Sequence, residues 1–524
     1  MQPEQKNVTV PEAMRIGLEH QQAGRLAEAE RIYRQVLQLN PNQPDALNLL
    51  ALIAHNANNN EIALELIGRA VLTNPANPYF LNNLGEVQRG LSRPQEAVAS
   101  FDQALRLKPD LAEALSNRGG ALQELGRHAE AVTSYDCALA VKPGFAEAFN
   151  NRGNALQFLG RYDEAVADYD QALSVRRGYA EALSNRGNSL LQLKRYDDAL
   201  ASYDQALAIN PDYATVHWNQ SLCRLTQGDF ARGWEQYEWR WKCSAFRFSA
   251  HEYSRPLWLG KENISGKTIL LHAEQGLGDT IQFARYAQTV EQAGATAILE
   301  VQPALKSLLS GIAGAHAVVG EGDALPAHDY HCPLLSLPLA FNARLETIPP
   351  AIPYLRPSTA AVNKWKSRLG RRHLPRVGIV GSGSLTHPND RNRSIELGRL
   401  AALAGLGVQL ISLQREVRPA EASVLAANDQ VAYFGAELQD FSDTSALVSL
   451  MDVVISVDTA VAHLAGAMGK PVWILLPFAA DWRWLVDRDD SPWYPTARLF
   501  RQPRIADWDS VIGRVRQQLQ EQFT

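Results

Sequence analysis

Apolar positions in the first half of the chain recur at helical spacing inside a longer beat. Ala29, Ala63, Ala97, Ala131, Ala165 and Ala199 stand 34 residues apart, and Tyr33, Ile67, Phe101, Tyr135, Tyr169 and Tyr203 follow them four positions later. A step of four puts the small and the large residue on one helix face. Pro41, Pro75, Pro109, Pro143 and Pro211 close the units twelve residues after each alanine, with Arg177 at the missing place. A period of this length predicts one helix-turn-helix per unit, stacked into a right-handed α solenoid with a concave surface, because a single unit cannot cover its own apolar face. Units are expected to start near 10, 44, 78, 112, 146 and 180, with a weaker seventh over 214–247 that keeps Trp218, Gly228 and Tyr237.

The pattern changes after Trp234. Aromatic residues crowd the stretch GWEQYEWRWKCSAFRFSAHEYSRPLWLG, which predicts a cap on the last unit and a rigid junction. The string Ser265-Gly266-Lys267-Thr268 resembles the end of a phosphate-binding loop, but Lys261 stands where its first glycine is required, so a turn before a strand is expected. From Thr268 onward, short buried runs alternate with helical patterns: Thr268 to Ala273, Ala297 to Val301 and runs near Ala317 and Tyr330, then VGIVGSG from Val377, VQLISLQ, VVISVD and VWILLPF. Such alternation predicts parallel sheets with helices on both faces and ligands at the carboxyl ends of the strands. Two series predict two Rossmann-like lobes with a cleft between them. The expected organisation is a solenoid over 1–247, an aromatic capping junction over 248–267, a short first lobe over 268–360 and a second lobe over 361–524.

A chain of 524 residues is too long for one core, in keeping with two architectures. Its net charge of -5 argues against nucleic acid as the partner. Cys137, Cys223, Cys243 and Cys332 form no CxxC pair, and His316, His328 and His331 have no acidic company, so neither a metal nor a disulfide framework is predicted. The amino terminus has no basic-then-apolar leader, and no eighteen apolar residues run together, which predicts a cytoplasmic protein without a transmembrane segment.

Candidate chemistry lies in both halves. Asn83, Asn117, Asn151, Asn185 and Asn219 share one phase of the repeat. Stacking turns them into a ladder of amides that either bonds within the stack or meets the backbone of an extended peptide. Arg118, Arg152 and Arg186 accompany them as a positive edge, favouring acidic segments or simply solvated. Three predicted strand ends carry the rest. Glu274-Gln275-Gly276-Leu277-Gly278-Asp279 has glycines for a tight turn and presents Asp279 at a helix start, where capping is the plainer use; Ile281 replaces the third glycine of a dinucleotide fingerprint. The loop from Gly381 to Ser394, with Ser382, Arg391 and Arg393, suits an anion such as a diphosphate. Asp458, Thr459 and His463 open a late helix whose dipole also favours a diphosphate. Trp482, Trp484, Trp493 and Tyr494 either stack a base or sugar or close the domain internally.

The repeats resemble the tetratricopeptide repeat, with an asparagine ladder similar to that of O-linked N-acetylglucosamine transferase. Residues 265–500 resemble glycosyltransferase family 9, the heptosyltransferase-like family of GT-B fold. That resemblance implies an inverting, metal-independent transferase with no cofactor beyond its nucleotide-sugar donor. It gives Asp279 the role of catalytic base, and Asp458, Thr459 and His463 that of donor binding, with Gly276, Gly278, Ser382, Arg391 and Arg393 around them. Ala460 stands where the family has glycine, and the first lobe is short. An adaptor carrying a degenerate transferase domain is the alternative, and in either case the solenoid is expected to bind a protein or peptide.

Overall fold

Thirteen helices of 13 or 14 residues, from Val10–Gln22 to Ala214–Thr226, follow one another among the described residues. The structure is a computed structural model, and it describes residues 9–243, 253–385, 387, 389–427 and 429–523. The 34-residue pattern is visible in the packing: Ala29, Ala63, Ala97, Ala131, Ala165 and Ala199 are all fully buried, as are the large residues four positions on. A second small residue completes the contact. A Cβ on Gly85, Gly119 or Gly153 would lie 2.5, 2.6 or 2.6 Å from the ring of Phe101, Tyr135 or Tyr169. Where Ile67 replaces the ring, the equivalent position is Ala51, so the glycine is present because the ring is.

The turn inside each unit also repeats. Backbone φ is positive at Gly24, Asn58, Ser92, Gly126, Gly160, Lys194 and Gly228, the left-handed residue that ends one helix before the next begins.

The chain forms two compact units, Met1–Leu193 with Asp204–Ile209, and Lys194–Tyr203 with Asn210–Thr524. In the second unit, Leu225, Phe230, Trp234 and Tyr237 belong to the same hydrophobic core as Ile269, Leu271 and Ile281. One face of the Phe230–Tyr237 helix is thus part of that unit's interior, and Arg240 of the 3-10 turn Glu238–Lys242 is buried beyond it.

Ten strands follow among the described residues, all paired in parallel. The first four are β1 (Thr268–His272), β2 (Thr296–Val301), β3 (Ala315–Gly320) and β4 (Tyr330–Pro333), in the order β3-β2-β1-β4. The other six are β5 (Arg376–Val380), β6 (Gln409–Ser412), β7 (Val431–Tyr433), β8 (Val453–Val457), β9 (Val472–Leu476) and β10 (Ala497–Arg501), in the order β10-β9-β8-β5-β6-β7. The residues of β5, β8 and β9 are buried throughout, as parallel strands covered on both faces require. One face of the larger sheet packs with the Trp508–Phe523 helix through Val511, Val515 and Leu519. These are Rossmann-like parallel sheets. β7 and β10 were not in the sequence reading, being a three-residue edge strand and a strand interrupted by arginines.

Each sheet has one place where the chain reverses its order of travel. In the smaller sheet the chain runs outward from β1 to β3 and returns to β4 beside β1; in the larger it runs from β5 to β7 and returns to β8 beside β5. Crevices form at such switch points, outside the carboxyl ends of the strands. The segments after β1, β5 and β8 are the ones singled out from sequence.

Candidate functional site

After β1 the chain passes Glu274 and Gln275 and enters the Leu277–Phe283 helix. Asp279 reaches back from the third helical position, its Oδ2 accepting the Gly276 N–H at 2.9 Å, so it caps the turn without being the cap residue. Its other oxygen, Oδ1, accepts a hydrogen bond from Nη2 of Arg483, which lies beyond β9. The Arg483 guanidinium is anchored independently, by Nη1 to Asp481 at 2.9 Å and by Nε to Gln282 Oε1 at 2.8 Å.

The turn before Asp279 is held from behind. Arg240, in the 3-10 turn, grips Glu274, and Gln275 donates to the Tyr237 hydroxyl at 3.1 Å. Glu274 also accepts the Leu335 N–H just past β4, at the smaller sheet's switch point.

After β8, Asp458 and Thr459 lead into the Ala460–Ala467 helix. Nε2 of His463 stands 3.6 Å from Asp458 Oδ1, and its Nδ1 shares a hydrogen bond of 3.0 Å with the Tyr494 hydroxyl. Burial alone would raise the Asp458 carboxyl, but His463 and the Arg483 charge outweigh it and hold the group down at about 2. His463 is itself buried and stacked on Trp484, their centroids 5.5 Å apart. Thr459 shares a hydroxyl contact of 3.0 Å with Ser456.

The two switch points touch. A Cβ on Gly278 would lie 2.8 Å from the His463 ring and 3.4 Å from Ala460 Cα, so glycine at 278 lets the two helix starts approach. From the loop after β5, Arg393 donates from Nη1 to the Asp458 carbonyl at 2.9 Å, and His387 lies within electrostatic reach of Asp279, Asp458 and Asp481. Arg391 is exposed. Ser382 is buried beneath the loop, donating to Glu421 at 2.8 Å and accepting from Gln414 at 3.0 Å. Trp482, Trp484, Trp493 and Tyr494 are all buried, which makes them interior packing around His463 and Arg483. Among the described residues no group of three or more His, Cys, Asp or Glu side chains could hold a metal ion. His331 packs on Tyr253, with its Nδ1 3.2 Å from His272 Nε2.

Sequence reasoning missed the roles of Arg483, Gln282 and Arg240. The available signal was an arginine flanked by tryptophans, at Trp482-Arg483-Trp484 and Trp239-Arg240-Trp241, since a charge set inside an apolar run is either exposed or paired.

In the first unit the asparagine ladder bonds from repeat to repeat: Asn83 to Asn48 at 2.7 Å, Asn117 to Asn82 at 3.1 Å and Asn185 to Asn150 at 3.1 Å, each through Nδ2 to Oδ1. At Asn151 the residue in the corresponding place is Ser116, and no described residue accepts from its Nδ2. Asn219 lies half-buried in the second unit. The arginines of this phase are neutralised where they stand: Arg118 by Asp102 at 2.6 Å, Arg152 by Asp168 and Asp136 at 2.5 and 2.6 Å, and Arg186 by Asp170 at 2.7 Å. A positive edge open to acidic partners is therefore not present at these three positions.

Sequence profiles of the tetratricopeptide repeat match residues 20–82, 56–112, 82–146, 144–211 and 185–238. The helical part of the chain is an array of tetratricopeptide repeats, followed by Rossmann-like parallel sheets. The chain is 27% identical over 318 residues to Protein FlbA of Caulobacter vibrioides, covering 56% of this chain and 52% of FlbA, so it spans about half the length of that relative. Solved structures similar to part of it include MamA, at 26% identity over 32% of this chain and 97% of MamA, with a TM-score of 0.29. PilF of Pseudomonas aeruginosa matches at 20% identity over 38% of this chain and 92% of its own, with a TM-score of 0.36. No helix among the described residues is long and apolar enough to cross a membrane.

Proposed function

We propose that the second unit is an inverting glycosyltransferase drawing on a nucleoside diphosphate sugar, and that the tetratricopeptide repeats bind a protein or peptide partner. The observation that supports the enzyme reading is the meeting of two sheet switch points, with the Asp279 carboxylate on one side and Asp458, His463 and Arg393 on the other. In this reading Asp279 takes the acceptor's hydroxyl proton as that oxygen bonds to the anomeric carbon. The bond from the opposite face of that carbon to the diphosphate breaks, and its electron pair leaves on phosphate oxygen. Arg393, Arg483 and the first N–H groups of the Ala460–Ala467 helix supply positive potential where that charge grows.

One observation favours the adaptor instead: both oxygens of Asp279 already have partners, Arg483 and the Gly276 N–H. Thermal titration of the full chain with UDP, GDP, ADP, CDP, dTDP and their sugars separates the two, because a ligand of the native state raises the midpoint by mass action. A shift that disappears in Asp458→Ala, measured against that variant's own baseline, is the expected result. Absence of a shift with every probe would leave the adaptor standing.

A further inference from the structure

We infer that Arg483 changes partners during the reaction: without donor it holds Asp279, and on donor binding the diphosphate takes its place as counter-ion and frees the carboxylate. This rests on the glycosyltransferase reading. While Arg483 occupies Oδ1, an acceptor hydroxyl must compete with a cation for that oxygen. A base held in this way is idle until the cation is drawn elsewhere.

The geometry allows the exchange without dismantling the site. Asp481 and Gln282 fix Nη1 and Nε of Arg483, so the guanidinium keeps its place when Asp279 lets go. Asp279 keeps the Gly276 N–H on its other oxygen, and the turn keeps the Gln302 contact to the Gln275 carbonyl at 2.9 Å. A guanidinium has five N–H groups, and these contacts use three of them. The side chain is 8% exposed, so the spare donors sit out of bulk water, where a phosphate oxygen is the stronger competitor for a planar fork. The destination is near: the Arg483 charge already acts on Asp458, at the start of the helix proposed to receive the diphosphate. One event then binds the leaving group and arms the base, and the acceptor is not activated in the donor's absence.

Calorimetry of the full chain, wild type beside Asp279→Asn, Arg483→Met and Arg483→Lys, tests the exchange with the five nucleoside diphosphates and the matching phosphate-free nucleosides. Asp279→Asn removes the competing charge, so it is expected to bind the recognised diphosphate at least about threefold tighter than wild type. Arg483→Met is expected to bind it about tenfold weaker, and Arg483→Lys to fall between, keeping charge but losing the fork. Nucleosides should distinguish none of the four. Diphosphate affinity in Asp279→Asn that equals or falls below wild type would make the contact a static latch and overturn the exchange, leaving the enzyme reading intact. If wild type binds none of the diphosphates, both fall.

Discussion

Arg240 meets Glu274 through two parallel hydrogen bonds, Nε to Oε2 at 3.0 Å and Nη2 to Oε1 at 2.9 Å, with the arginine wholly removed from water. Glu238 and Ser336 take further bonds from the same guanidinium at 2.6 and 2.7 Å. The contact fastens the 3-10 turn that ends the aromatic helix to the residue that leads β1 into the candidate base turn. Removing one partner leaves a buried charge alone. Arg240→Met is expected to lower stability by about 3–5 kcal/mol, while Arg240→Met with Glu274→Leu recovers most of it, since a buried pair replaced by apolar residues is often near neutral. Denaturant unfolding of the three proteins decides this; a single variant costing less than about 1 kcal/mol would mean that water reaches the pair.

The same core sets the minimum folding fragment. Leu225, Phe230, Trp234 and Tyr237 are interior residues of the α/β unit, and a fragment beginning at 253 would discard all four together with Arg240. That fragment is expected to show exposed apolar surface by dye binding and no cooperative melt, whereas one beginning at 194 melts cooperatively. Equal melting of the two would contradict the shared core.

Gly119 faces Tyr135, and an added Cβ would sit 2.6 Å from a ring that has no room to move. Alanine gains about 1 kcal/mol of helix propensity over glycine, but overpacking costs about 1–3 kcal/mol, so Gly119→Ala is expected to be destabilising on balance. Tyr135→Ile in the same chain should restore part of the loss, because the unit with Ile67 carries Ala51 naturally. A loss that the second change does not reduce would place the strain elsewhere.

Asp458 is held at about 2 in the folded protein, below the value of about 3.9 usual for an unfolded chain. A depressed carboxyl contributes stability that is complete above the unfolded value and is lost as pH falls through the folded one. The contribution is about 2.6 kcal/mol, most of it lost between about pH 4 and pH 2. Asp458→Asn should therefore melt with a shallower acid dependence than wild type in that window. Parallel curves from pH 5 to pH 2 would show that His463 does not hold the carboxylate.

The repeats were legible because one physical demand recurs: an alanine and a large apolar residue share a helix face in each unit, with a glycine against the ring in four of them. The parallel sheets were legible where strands are buried on both faces, as in VVISV, and not where an edge strand is three residues long, as in Val431–Tyr433. The site was legible as turns and illegible as pairs. Asp279 was visible at the end of a glycine turn, but its partner Arg483 lies 204 positions along the chain, and single-sequence spacing carries no such distance. The arginine ladder was the reverse case: Arg118, Arg152 and Arg186 each stand 16 residues from an aspartate of the same 34-residue period, a regularity present in the sequence and read only as surface charge.

The break in the asparagine ladder separates its structural use from its binding use. Asn185→Ala removes the bond to Asn150 and leaves that fully buried amide oxygen without this donor, so it is expected to lower stability by about 1–2 kcal/mol. Asn151 has Ser116 where Asn185 has Asn150, and its Nδ2 has no acceptor among the described residues. Asn151→Ala gives up only a 3.3 Å bond from Asn150, whose Nδ2 keeps Glu181 at 3.2 Å, and should stay within about 0.5 kcal/mol of wild type. If the ladder also meets the backbone of a partner peptide, the unused amide is where that contact is free to form. Asn151→Ala should then weaken peptide capture at unchanged stability, whereas Asn185→Ala weakens it only as far as it unfolds the repeats. Capture on immobilised wild type and both variants, with melting curves recorded in the same buffer, reads the two effects apart. Equal capture by wild type and Asn151→Ala would confine the ladder to holding the stack together.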